Sequence, residues 1–147
     1  MRTMFSIKEA KASFFDTKRV MSALDRAGRA VLSRFGAFVR TTARHSIRKR
    51  KGVSKPGQPP SSHAGQLRDF LWFAYDTERR SVVIGPARLS DKPGNAPEAL
   101  EYGGHSQAAV GPGRRLRTIN IAKRPFMGPA YEQEKDKLPS MWANSVK

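Results

Sequence analysis

The stretch TKRVMSALDRAGRAVLSRFGAFVRTTARHSIRK, residues Thr17–Lys49, decides the fold. Val20, Leu24, Ala27, Val31, Phe35 and Phe38 recur every three or four residues, and Thr42 and Ile47 carry the series on. Met21, Leu32, Val39 and Ala43 widen the stripe. This spacing predicts an amphipathic helix. Asp16-Thr17 supplies its start signal, and the helix would reach roughly 50 Å at 1.5 Å per residue. Gly28 and Gly36 interrupt it at about 1 kcal/mol each relative to Ala, a cost that suits a bend or the close approach of another backbone. The opposite face carries Arg19, Arg26, Arg29, Arg34, Arg40, Arg44 and Arg48. The run Arg48-Lys49-Arg50-Lys51 ends it. The helix macrodipole favours cations there, but four in succession exceed what one dipole needs.

The cations set the character of the whole chain. It has 147 residues and a formal charge of +16. Residues 1–55 hold 15 Lys/Arg against 3 Asp/Glu; the rest hold 13 against 9. Arg40, Arg44, Arg48, Lys49, Arg50 and Lys51 therefore form the candidate surface for DNA phosphates or an acidic partner. A solvated helix face is the plainer reading of the same charges. The length fits one domain and suffices to bury roughly two-thirds of the unfolded surface. The absence of cysteine excludes disulfides, thiolate nucleophiles and Cys-ligated metals. The longest apolar run, Phe70–Tyr75, falls far short of the roughly 20 residues of a membrane span. Met1–Ala12 has no apolar signal-peptide core, so synthesis in the cytoplasm is expected.

Beyond the helix, Gly52–Ser62 (GVSKPGQPPSS) reads as an irregular proline loop. Phe70–Tyr75 and Ser81–Gly85 read as a β-hairpin across a polar turn. Pro97–Tyr102 reads as a short helix closed by Gly103-Gly104. Gly104–Arg117 reads as a Gly/Arg loop and Thr118–Ala122 as a strand. Gly128–Lys137 reads as a helix that Pro139 ends or kinks. Met4–Phe15 has no clear period and suits a short strand or helical turn. The expected architecture is α+β. A long amphipathic N-terminal helix and a C-terminal helix pack on a small antiparallel sheet of three or four strands. The whole, residues 1–147, forms one domain with flexible arms at about 52–63 and 104–117.

Catalytic constellations are missing. His45 lies among cations, and His63 and His105 lie in predicted loops. Glu98, Glu101 and His105 have metal-like spacing, but Gly103-Gly104 breaks the helix that spacing requires. Gly111-Pro112-Gly113-Arg114-Arg115 lacks the Lys-Ser/Thr of a P-loop. No nucleophile has a histidine beside it, so no enzyme activity, cofactor or metal is expected. Phe70, Trp72, Phe73 and Tyr75 have too few interleaved cations for an RNA-stacking platform and suit sheet packing. No second helix forms a helix-turn-helix with the basic one.

Several segments, in order, carry a resemblance. A long Arg-rich helix leads through a proline loop into Gly65-Gln66-Leu67-Arg68. An aromatic hairpin ends in Val83-Ile84-Gly85. Two short signatures follow, Ala99-Leu100-Glu101-Tyr102-Gly103 and Arg124-Pro125-Phe126-Met127-Gly128-Pro129-Ala130. This order resembles the tail-completion, or type 1 neck, proteins of long-tailed bacteriophages, with minor tail component Z a distant relative in role. The chain departs from that pattern in the Gly104–Arg117 stretch and in Gly128, where the family often has a basic residue. The resemblance implies a structural virion protein at the head–tail junction, made in the bacterial host. It implies a homo-oligomeric ring, hexameric by expectation, around the DNA channel, joining a head connector or stopper to a tail terminator or tail tube. It makes Glu101, Tyr102, Gly103, Arg114, Arg115, Arg124, Pro125 and Phe126 candidates for subunit contacts, although Phe126 equally suits the protein's own core. Gly103 is expected to leave its helix with positive φ, and Glu101 to cap or to pair with a basic neighbour. A free, sequence-independent nucleic-acid-binding protein of ribosomal or nucleoid type explains the charge equally well but not the two signatures.

Overall fold

The computed structural model describes residues 17–88, 96–111, 113, 115–143, 145 and 146. Helix α1 spans Thr17–Ser46. Its buried residues Ala27, Val31, Phe35, Val39 and Ala43 step by four, and Ile47 continues the line. A four-step ridge slants across a helix instead of following its axis. Val39 and Ala43, not Phe38 and Thr42, therefore form the buried seam in the second half. Val20, Met21 and Leu24 stay exposed, since burial along α1 begins at Ala27.

The helix stops three residues before its expected end. The Ser46 hydroxyl donates to the Ala43 carbonyl at 2.7 Å, a local bond that competes with helix continuation. Ile47 then turns into the core. Arg48–Lys49 becomes β1, paired in parallel with β2, Ser61–Ser62.

A single helical turn, α2 (Gln66–Asp69), leads into the antiparallel hairpin of β3 (Leu71–Asp76) and β4 (Ser81–Pro86). Asp76 Oδ1 accepts hydrogen bonds from the backbone of Glu78 at 2.9 Å and Arg79 at 3.0 Å, which folds the turn. Arg80 pairs with Asp25 at 3.2 Å and ties the hairpin tip to α1. Helix α3 (Ala96–Tyr102) precedes a second antiparallel hairpin, β5 (Gly104–Val110) and β6 (Arg115–Ile121). Helix α4 (Met127–Glu134), a 3-10 turn (Lys135–Lys137) and α5 (Leu138–Trp142) finish the described chain. Pro139 lies in the first turn of α5, where its missing N–H costs nothing.

The fold is α+β, with the long N-terminal helix and the C-terminal helical segment as expected. The small antiparallel pairings are also as expected, but among the described residues the strands form three separate two-stranded sheets, one of them parallel, instead of one sheet of three or four strands. Gly104–Arg117 is not an irregular arm, because it holds β5 and the start of β6. The segment GHSQAAV has no alternation of apolar and polar residues. Its strand form comes from backbone pairing across a turn that Gly111 enters at φ 82. The proline loop is likewise no free arm. Ser54 and Pro60 are buried, and the Gly57 N–H donates to the Lys123 carbonyl at 2.8 Å. The expected element at Met4–Phe15 lies outside the described residues.

The core joins Phe35, Val39, Ala43 and Ile47 to Leu71, Phe126 and Ala130. Burying each large apolar side chain contributes about 1.5–3 kcal/mol. A polar seam lies beside it. Glu134, only 3% exposed, accepts from the Thr42 hydroxyl at 2.7 Å and from Lys137 at 2.6 Å. The Lys137 bond first, and the Thr42 bond second, hold its carboxyl below the ordinary range against the opposing effect of burial.

The two helix glycines have opposite roles. A Cβ at Gly36 would lie 2.7 Å from Val82 Cγ2 and 3.1 Å from Phe73 Cδ2. Val82 is β-branched and turns aside poorly. At Gly28 the nearest atom is Trp142 Cη2 at 3.7 Å, an ordinary contact. Gly36→Ala should therefore lose about 1–2 kcal/mol net of its helix-propensity gain. Gly28→Ala should gain up to about 1 kcal/mol. Thermal melts of the two variants should move in opposite directions, and two upward shifts would refute the close packing at Gly36.

Candidate functional site

The cations predicted to act together separate into three settings. Arg40 is half-buried. Its Nε donates to the Leu71 carbonyl at 2.5 Å, and its guanidinium lies 5.4 Å from the centre of the exposed Trp72 ring. It braces α1 against β3. Arg44 pairs with Asp69 on α2 at 3.4 Å. Both are partly exposed, so the pair contributes at most about 1 kcal/mol.

Arg48, Lys49, Arg50 and Lys51 are all exposed. Successive residues of an extended strand point to opposite faces. Arg48, in β1, and Arg50, just beyond it, line an open cleft of about 400 Å³ with His45, Ser46, Gln58, Pro59, Pro60 and Ser61. Lys49 lies on the other side, its Cε 3.3 Å from where a Gly65 Cβ would stand, beside Asp69. The cleft lining contains no carboxylate. Among the described residues, His45, Arg48 and Arg50 have no ion-pair partner.

The two short signatures meet inside the chain. Glu101 Oε2 accepts from the backbone of Phe126 at 2.8 Å and Met127 at 3.0 Å, and Oε1 accepts from Gly128 at 2.7 Å. One carboxylate thus caps three otherwise open N–H groups at the start of α4, where the helix dipole also favours negative charge. A Cβ on Gly128 would crowd Oε1 at 3.1 Å. Gly103 adopts φ 81, the left-handed conformation expected of it. The Arg124 N–H donates to the Leu100 carbonyl at 2.6 Å, and its side chain donates to the carbonyls of Ser54 at 2.9 Å and Ala122 at 3.0 Å. Phe126 is 1% exposed, inside the core. Glu101, Arg124 and Phe126 therefore make these contacts within the chain. Pro125 is half-buried beside them, while Tyr102 and Arg115 are exposed. Arg114 lies outside the described residues.

The β5–β6 hairpin is the barest part of the fold. Its base rests on α3 and buries Ser106, but every β6 side chain except Ile121 is exposed. Pairing puts Val110, Arg115, Arg117 and Ile119 on one face, with Leu116 on the other among His105, Gln107, Thr118 and Asn120. Val110, Leu116 and Ile119 are all exposed.

Among the described residues no three His, Asp or Glu side chains group as a metal site requires, and no helix is long and apolar enough to cross a membrane. Sequence reasoning missed His45, Gln58 and Ser61 as partners of the arginines. Arg/Lys alternation directly after a helix, facing a returning proline loop, was the available signal. Glu101 was expected to cap or to pair with a basic neighbour; that it caps α4 was not legible, because the partner lies 25 residues downstream. Comparison with protein-family models, curated proteins and solved structures finds no match to this chain.

Proposed function

We propose that this chain is a structural protein of the head–tail junction of a long-tailed bacteriophage. Its copies close a homo-oligomeric ring, hexameric by the resemblance, between the head connector or stopper and the tail terminator or tail tube. Virion assembly takes place in the host cytoplasm, and the protein carries out no catalysis.

The β5–β6 hairpin carries the reading. Among the described residues its edges are unpaired, and Val110, Leu116 and Ile119 are exposed. An isolated hairpin with open edges is an unfavourable thing for a protein to display, whereas a ring requires one surface that fits a different surface of the next copy. The interlock of Glu101 with residues 126–128 joins the two signature segments into one structural unit. The exposed apolar start of α1, at Val20, Met21 and Leu24, is a second bare surface at which a neighbour would dock. The basic cleft favours a second reading, a free nucleic-acid-binding protein. The composition of purified phage particles separates the two: a junction protein is present at a small fixed copy number, and a free binder is absent.

A further inference from the structure

We propose that the cleft between the end of α1 and the proline loop is a phosphate-binding site, and that Arg48 and Arg50 hold the phosphodiester backbone of a nucleic acid there. His45, Gln58 and Ser61 complete the site. Four observations support it.

The cations are sorted. Of the four in a row, the two arginines line the cleft, and at least Lys49 lies away from it. Arginine presents a planar fork that grips phosphate oxygens in pairs, whereas lysine acts as a point charge. Arg48 and Arg50 are two residues apart in the chain and line the same open cleft.

The charge is uncompensated. Arg44 has Asp69, but Arg48 and Arg50 have no carboxylate among the described residues. The carbonyl end of α1 opposes an anion with roughly half a charge; two arginines outweigh it about four to one.

The wall is held in place. Gly57 is bonded to Lys123, Pro60 is buried, and β2 is paired with β1 in register Arg48↔Ser61. A site whose donors are already positioned loses less entropy on binding.

Further hydrogen-bonding groups are present. The Ser46 hydroxyl is used by the Ala43 carbonyl. The Ser61 hydroxyl, the Gln58 amide and the His45 ring line the same space. A nucleic-acid backbone suits such an open cleft better than an acidic protein surface, because consecutive phosphates pass through it while each remains accessible to both arginines.

The inference does not rest on the ring reading, and the two fail separately. The test is fluorescence anisotropy of a short labelled DNA duplex over a salt series. It compares the intact chain with Arg48→Gln/Arg50→Gln and with Lys49→Gln/Lys51→Gln, which remove equal charge. All four positions are exposed, and thermal melts check that each variant folds. The arginine pair should lose about tenfold or more in affinity, and the slope of log K against log salt should fall by about 2. The lysine pair should lose clearly less. Arg48→Lys/Arg50→Lys should recover only part of the binding if the fork geometry counts. Equal losses in the two glutamine pairs would overturn the proposal in favour of a diffuse basic patch. Failure of the intact chain to bind duplex while it binds poly-glutamate would overturn it in favour of an acidic protein partner.

Discussion

Glu101→Ala will lower the thermal midpoint by about 10 °C. The carboxylate accepts three backbone N–H bonds at the start of α4, and the donor at Phe126 belongs to the most deeply buried aromatic residue of the core. A hydrogen bond to a charged group contributes about 1.5–3 kcal/mol, and an uncapped buried donor adds its desolvation cost. The three share one acceptor and are not additive, so the net loss is about 3 kcal/mol. For a domain of this size each kcal/mol moves the midpoint by about 2–4 °C. Glu101→Gln keeps one oxygen and turns an NH2 group toward a donor, so it should recover less than half. Calorimetry of both variants checks this. A shift under about 2 °C for the alanine variant would mean that the two signatures do not depend on each other for stability.

The second large effect concerns assembly. If residues 105–120 are replaced by an Asn-Gly turn joining Gly104 to Ile121, the chain should fold and fail to form rings. Gly104 and Ile121 already face each other in the ladder, and such a turn closes a two-residue hairpin. The removed segment buries little: Ser106 is buried, while Val110, Leu116 and Ile119 are exposed. The midpoint should therefore stay within a few degrees of the intact chain. Sedimentation of both proteins, alone and with connector and tail partners, gives the answer. Ring formation by the shortened chain would remove the hairpin from the interface.

These predictions depend on contacts of different legibility. The long helix was readable because its apolar period continues for many turns, and the first hairpin because aromatic and β-branched residues mark both strands. The helix end was not, since Ser46 and Ile47 stop it by a local hydrogen bond and a turn into the core. Nor was the second hairpin, because the β5 segment GHSQAAV has no alternation of apolar and polar residues. Gly103 was legible in its conformation, and Glu101 only as a group in need of a partner. That partner is set by the tertiary fold. The cation run was legible as charge, but its division between Arg48 and Arg50 on one side and Lys49 on the other required the strand. Arg40 and Arg44, read as facing DNA in a channel or an acidic partner, contact Leu71, Trp72 and Asp69.

The claim that this chain builds a head–tail junction is tested most directly by quantitative mass spectrometry of gradient-purified particles from a genome that encodes it. The account predicts a constant low copy number per particle, equal to one ring, with antibody label confined to the neck in electron micrographs. Particles that carry both head and tail, infect normally and contain none of this protein would contradict it.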